Sequence, residues 1–112
     1  MEVRAVVKYT GIPASKVRPL VDMVRGKKVD EALTLLKFTP TPKAKVVAKL
    51  VRSAAANAEN NFQMDPADLR IVSIFADDAP MMRRYRARSR GRASPIQRRS
   101  SHITVIVAEQ EG

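Results

Sequence analysis

The sequence has 112 residues, of which 45% are hydrophobic, 4% are aromatic and none is cysteine. A chain of this length buries most of its apolar surface in one core, so we expect a single domain over residues 1–112. The absence of cysteine excludes a disulfide scaffold, a thiolate zinc site and thiol catalysis. Apolar stretches are far shorter than the ~20 residues of a membrane helix, and no apolar leader follows Met1. We therefore expect a soluble intracellular protein.

The charge is strongly positive and unevenly distributed. Lys and Arg number 21 against 11 Asp and Glu, a formal net charge of +10. Residues 1–78 hold 13 basic and 9 acidic side chains, a net +4, whereas residues 79–112 hold 8 basic and 2 acidic, a net +6. Such a surplus requires a polyanionic partner, and nucleic acid is expected ahead of an anionic membrane.

The chain opens with the pattern of a strand followed by a helix. Apolar residues alternate over residues 2–9, which predicts a half-buried strand that ends before Gly11. The next apolar residues recur at the i, i+3, i+4, i+7 spacing of an amphipathic helix. Ser15 is predicted to cap this helix and Gly26 to close it.

Two further helices are predicted before residue 60. Asp30 is expected to cap a short one that ends before Pro40. Thr41 and Pro42 form a cap and first-position pair that opens the longest helix, and a loop is predicted from Asn60 onward. The buried stripe of the long helix is predicted to comprise Val47, Leu50, Val51, Ala54, Ala55 and Ala58.

The last third of the chain predicts two paired strands separated by a long insert. Residues 69–76 and 102–108 are rich in β-branched and apolar residues, as strands are. Residues 79–101 carry few large apolar side chains, and a structureless loop of this length is unusual in a compact domain. We therefore predict a projecting β-hairpin arm with its turn near Gly91, reaching on the order of 30 Å from the body.

The predicted arm concentrates arginine. No carboxylate lies between Asp78 and Glu109. Arginine presents a planar fork that grips phosphate with two hydrogen bonds, and repulsion between like charges requires a polyanion to order the arm. A solvated loop is the alternative, but the charge favours contact with nucleic acid. The arginines are Arg83, Arg84, Arg86, Arg88, Arg90, Arg92, Arg98 and Arg99.

A second basic group brackets the first predicted helix. These side chains are candidates for binding phosphate, although a run of charges is more commonly a solvated face, and both interpretations stay open. The group comprises Lys16, Arg18, Arg25, Lys27 and Lys28.

Nothing in the sequence indicates an enzyme. His102 is the only histidine and lacks partners for a metal site, so a hydrogen-bonding or packing role is expected. Asp77 and Asp78 are adjacent and point to opposite faces of a strand, which suits the end of a strand better than a catalytic pair. There is no Gly-rich phosphate loop and no nucleophile with a base, so no cofactor is expected.

Three sequence blocks resemble the bacterial large-subunit ribosomal protein family numbered twenty-two, and they occur in family order over nearly the whole chain. One joins Lys16-Val17-Arg18 to Val24-Arg25-Gly26-Lys27-Lys28. Another is Ser53-Ala54-Ala55-Ala56-Asn57-Ala58-Glu59-Asn60-Asn61. The third joins Gly91-Arg92-Ala93 to Arg98-Arg99-Ser100-Ser101-His102-Ile103-Thr104-Val105-Ile106-Val107.

The resemblance implies an α+β body in which a three-stranded antiparallel sheet packs on three helices. It also implies a cytoplasmic location in the large ribosomal subunit, on its outer face near the exit of the nascent-peptide tunnel. The implied partners are ribosomal RNA, neighbouring ribosomal proteins and the nascent polypeptide. The hairpin would reach the tunnel wall and narrow it together with a loop of the large-subunit protein numbered four, not far from where macrolide antibiotics bind.

Carried over by position, the resemblance makes the basic residues of the arm and of the first helix rRNA-binding residues. It places the tunnel tip at Arg86, Ala87, Arg88, Ser89, Arg90, Gly91 and Arg92. Many family members have Pro before the tip arginine and Ala after it, whereas this chain has Ala87 before Arg88 and Ser89 after it. The shape of the tip is therefore expected to differ from theirs.

A DNA-bending architectural protein with basic β-arms is the alternative function. Such proteins also combine a helical body with arms that enter the minor groove. They commonly dimerise and place an apolar wedge at the arm tip, and Arg90-Gly91-Arg92 offers no wedge. The sequence therefore favours the ribosomal interpretation.

Overall fold

The computed structural model describes residues 2–80 and 100–109 in full and the backbone of residues 82–87 and 93–98. Strands and helices are mixed along the chain, and the α+β class predicted from the sequence is confirmed. The elements are β1 (Glu2–Val7), α1 (Ala14–Val24), α2 (Val29–Lys37), α3 (Pro42–Phe62), a 3-10 turn (Pro66–Asp68), β2 (Leu69–Asp78), β3 (Met82–Ala87), β4 (Ala93–Arg98) and β5 (Ser101–Glu109).

The central sheet is three-stranded and antiparallel, with the order β1-β5-β2. Val3 of β1 lies opposite Val107 of β5, and Ile74 of β2 lies opposite Val105. All four side chains are buried, because alternate residues of each strand point to the same face of the sheet. The buried face of this sheet forms one side of the core.

The helices cover that face. α3 packs against β1 and β5, α1 packs against β2, and α2 packs against α3. The predicted stripe of α3 is buried except at Ala55, which is half-buried. Along the stripe the side chains become smaller, from Val and Leu to Ala54 and Ala58, which are both fully buried. These small side chains let the end of the helix lie close to its neighbours.

Two predicted helix caps are wrong. α1 begins at Ala14 after Pro13, with no side-chain hydrogen bond at its cap, so Ser15 lies inside the helix. α2 begins at Val29 after Lys28, and Asp30 lies in its first turn. There the carboxylate stabilises the helix through its dipole and not through a capping bond. The Thr41 cap of α3 is confirmed, because its side chain accepts a hydrogen bond from the backbone N–H of Lys43 at 3.4 Å.

Two predicted element ends are also displaced. β1 stops at Val7 because Tyr9 has a φ of 54°, a left-handed conformation that cannot continue a strand. α3 continues through Asn60 to Phe62, three residues into the predicted loop. Gln63 then closes it with a φ of 55°.

The arm predicted at residues 79–101 contains a second, two-stranded antiparallel sheet formed by β3 and β4. The ladder of β2 and β5 runs to Asp78 opposite Ser101, and the Ala79 N–H donates to the Ser100 carbonyl at 3.1 Å. The paired strands at the base of the arm therefore follow the predicted arrangement. The predicted turn at Gly91 lies outside the described residues.

Candidate nucleic-acid interface

The β3–β4 hairpin brings arginines together without pairing them directly. Arg83 lies opposite Gln97, Arg84 opposite Ile96, Arg86 opposite Ser94 and Met82 opposite Arg98. Like charges directly opposite each other destabilise an antiparallel pair, and this register avoids every such pairing among the strand residues. Each arginine of β3 and β4 thus has an uncharged residue across from it.

Only part of the predicted tip and its flanks lies within the described residues. Arg86 and Ala87 of the predicted tip belong to β3, whereas residues 88–92 lie outside the described part of the chain. Arg99 lies outside it as well. Ala87 opposite Ala93 is the last described pair before the tip.

The five predicted basic residues of the body are all exposed, but they divide into two groups. Arg18 and Arg25, seven residues apart on one face of the α1 region, turn toward β2. Arg25 donates from Nε and Nη2 to the Ile74 carbonyl at 3.3 and 2.9 Å, and Arg18 Nη2 donates to the Ala76 carbonyl at 3.5 Å. These two arginines occupy the free edge of β2, an edge that would otherwise offer unpaired carbonyls to another strand.

The turn after α1 also forms hydrogen bonds with β2. The Gly26 N–H donates to the Ile71 carbonyl at 3.1 Å, and the Ile71 N–H donates to the Lys27 carbonyl at 2.9 Å. Gly26 has a φ of 79°, which only glycine adopts readily. The backbone under Lys27 and Lys28 is therefore anchored to the sheet.

Lys16, Lys27 and Lys28 form the second group. Within the described residues, none of their side chains makes an intramolecular hydrogen bond or ion pair, whereas Arg25 Nη1 lies 2.7 Å from Asp22 Oδ1. Asp22 was not predicted to matter, although its spacing of three residues from Arg25 suits a helical ion pair. Among the five predicted basic residues of the body, the three lysines are the most available to an external phosphate.

His102 has the structural role expected from the sequence. Its Nδ1 accepts a hydrogen bond from the Tyr9 N–H at 3.1 Å, and the two rings meet edge to face with centroids 4.7 Å apart. These contacts hold the left-handed turn after β1.

Two serines at the base of the arm hold the same loop, and sequence reasoning missed both. The fully buried Ser101 Oγ donates to the Ile12 carbonyl at 2.7 Å and lies 2.8 Å from Thr10 Oγ1. Ser100 Oγ accepts from the Gly11 N–H at 2.8 Å. Because buried hydroxyls need partners, these bonds tie the start of β5 to the loop after β1.

The described residues contain neither a cluster of metal-ligating side chains nor a helix that could span a membrane. In that part of the chain, no three His, Cys, Asp or Glu side chains are grouped so as to hold a metal ion. None of the helices in the same residues is long and apolar enough to cross a membrane.

Comparison with known proteins decides the family. A family model described as Ribosomal protein L22p/L17e matches residues 5–108. The chain belongs to this family. The resemblance seen in the sequence blocks is thereby confirmed over almost the whole chain.

Individual relatives agree with this assignment. The large ribosomal subunit protein uL22 of Dehalococcoides mccartyi is 65% identical over 109 residues, which cover 97% of this chain and 100% of the relative. The proteins of the same name from Pelotomaculum thermopropionicum and Clostridioides difficile are each 50% identical over 111 residues. These alignments cover 99% of this chain and 98% and 100% of the relatives. The similarity therefore includes both the body and the hairpin.

Proposed function

We propose that this chain is a structural component of the large ribosomal subunit that binds rRNA, supports subunit assembly and lines the nascent-peptide exit tunnel with its hairpin tip. Membership of the L22p/L17e family supports the ribosomal role, and its relatives carry the name of a large-subunit protein. The main support for rRNA binding is that eight arginines and no carboxylate lie between Asp78 and Glu109.

The hairpin binds RNA because its arginines replace the cations that surround the phosphates. Each arginine that contacts a phosphate releases condensed cations from the RNA, and the RNA in turn neutralises the repulsion within the hairpin. Phosphate contacts supply the affinity, and specificity comes from the shape of the folded RNA. In this proposal β3 and β4 contribute Arg83, Arg84, Arg86 and Arg98, and the adjoining segments contribute Arg88, Arg90, Arg92 and Arg99.

The body contributes a second set of contacts near α1. Lys16, Lys27 and Lys28 bind phosphate directly, since no partner within the described residues engages them. Arg18 and Arg25 bind RNA with the donors left over from their bonds to β2. Losing either arginine would therefore disturb the fold as well as the RNA contact.

The other proposed partners follow from a position in the large ribosomal subunit beside the exit tunnel. The tip at residues 86–92 lines the tunnel beside the nascent polypeptide while its arginines contact rRNA phosphates, and neighbouring large-subunit proteins contact the body. The chain acts in the cytoplasm as part of a particle, and its role is structural and not enzymatic.

Competition binding combined with size-exclusion chromatography tests this proposal against the DNA-bending alternative. We expect a monomer that prefers folded large-subunit rRNA over duplex DNA by about 100-fold or more, as specific sites are preferred over non-specific ones. A dimer that binds duplex DNA as tightly as rRNA would contradict the proposal and favour an architectural protein.

A further inference from the structure

A groove between α2 and α3 forms a third basic surface. Its volume is about 800 Å³, in the range of pockets that hold ligand-sized groups. Leu36 and Ala48 are buried and Leu33 is half-buried, so the floor is apolar. The groove is therefore suited to a partner with both an apolar and an anionic part.

The rim of the groove carries four exposed cations. Lys45, Lys49 and Arg52 follow one another at helical spacing along α3, and Lys37 faces them from α2. No carboxylate lines this groove among the residues that the structure describes. Asp30 and Glu31 of α2 instead line a separate hollow beside Lys27. The rim is thus a concentrated positive surface.

An exposed aromatic ring stands at one end of the rim. Phe38 follows the groove residue Lys37 and is 76% exposed, more than any other large hydrophobic residue that is described. Its backbone N–H donates to the Thr34 carbonyl at 3.2 Å, which holds the position at the end of α2. Lys37 Nζ lies 6.0 Å from the ring centre. The ring is not part of the core, and most of its surface is accessible to a planar ligand.

We propose that this groove binds an unpaired segment of RNA, with phosphates on Lys45, Lys49 and Arg52 and one base stacked on Phe38. The cations are spaced about 4.5–6 Å apart along the helix axis, which suits successive phosphates of a strand. Unpaired bases stack on exposed aromatic side chains, whereas bases within a duplex are not free to do so. The inference rests on the proposed rRNA binding and adds a site on the face formed by α2 and α3.

The test uses the full chain with a short oligouridine as the RNA probe and inorganic polyphosphate as a polyanion without bases. Lys45, Lys49 and Arg52 are replaced together by Gln, and the control replaces Arg4, Lys8 and Lys43 by Gln to remove the same charge. A second pair compares Phe38→Leu with Phe62→Leu, because Phe62 is also exposed but has no groove residue beside it, whereas the Phe38 ring lies next to Lys37. Circular dichroism checks that each variant is folded.

We expect the groove variant to weaken binding of both probes and to reduce the salt slope for oligouridine by about 2, at ~0.7 for each lost single-strand phosphate. The charge control changes the slope by less than half as much. Phe38→Leu weakens oligouridine binding about tenfold and leaves polyphosphate binding unchanged, since only a base stacks on the ring. Phe62→Leu has no effect on either probe.

Three results would overturn the inference. One is equal slopes for the groove variant and its charge control. Another is a Phe38→Leu effect that is absent or the same for both probes. The third is displacement of oligouridine by poly-glutamate at equal charge concentration, which would indicate a site for an acidic polypeptide. If the proposed rRNA binding itself were wrong, the result would be distinguishable from these three. The unmodified chain would then show no preference for rRNA over DNA.

Discussion

Ala54→Leu is expected to lower the free energy of unfolding by about 1–3 kcal/mol, the usual cost of overpacking a dense core. Ala54 is fully buried on α3, where the helix packs against β1 and β5. An isobutyl group in place of a methyl group forces the helix away from the sheet or strains the side chains around it. Chemical and thermal unfolding of the free protein measures the effect without any contribution from RNA.

Ala56→Leu is the matched control. Ala56 is exposed on the same helix, and Leu has nearly the helix propensity of Ala, so we expect a change within about 0.5 kcal/mol. Equal losses of stability at positions 54 and 56, or a larger loss at 56, would show that the buried face of α3 is wrongly assigned.

The second large effect is expected in the hairpin. Replacing Arg84, Arg88 and Arg92 together by Gln should reduce the slope of log K against log salt for rRNA by roughly 2–3, if each side chain contacts one phosphate. The fold of the body should be preserved, since the core found among the described residues is built from residues within 3–76 and 103–107. Filter binding to large-subunit rRNA across a salt series measures the slope.

The variant with Arg4, Lys8 and Lys43 replaced by Gln controls for net charge in this experiment too. Its formal net charge falls from +10 to +7, as that of the hairpin variant does. A general loss of electrostatic attraction therefore affects both variants equally. An unchanged slope in the hairpin variant would mean that its arginines face protein or the open tunnel and not phosphate.

The fold was predictable where hydrophobic periodicity is strong. The alternation in β1 and the apolar stripe of α3 indicate buried faces that the structure confirms. Element ends were less predictable because they depend on tertiary contacts. The turn at Tyr9 ends β1 through its bond to His102, which lies 93 residues away.

The candidate site was predictable only as a charge pattern. The arginines of the hairpin are evident from the sequence, and the register of β3 and β4 shows that those within the two strands lie opposite uncharged residues. The bonds of Arg18 and Arg25 to β2 span 58 and 49 residues, so only docking of α1 onto the sheet reveals them. The cations of the α2–α3 groove resemble an ordinary solvated helix face until the opposing helix is in place.

Sedimentation with ribosomal subunits tests the central claim most directly. An epitope-tagged copy of the full chain is expressed in bacterial cells, and the lysate is fractionated on a sucrose gradient. We expect the tagged chain in the large-subunit fractions, retained after a high-salt wash and released by ribonuclease. A chain that stays at the top of the gradient, or that is released by deoxyribonuclease and not by ribonuclease, would contradict a role in the large subunit.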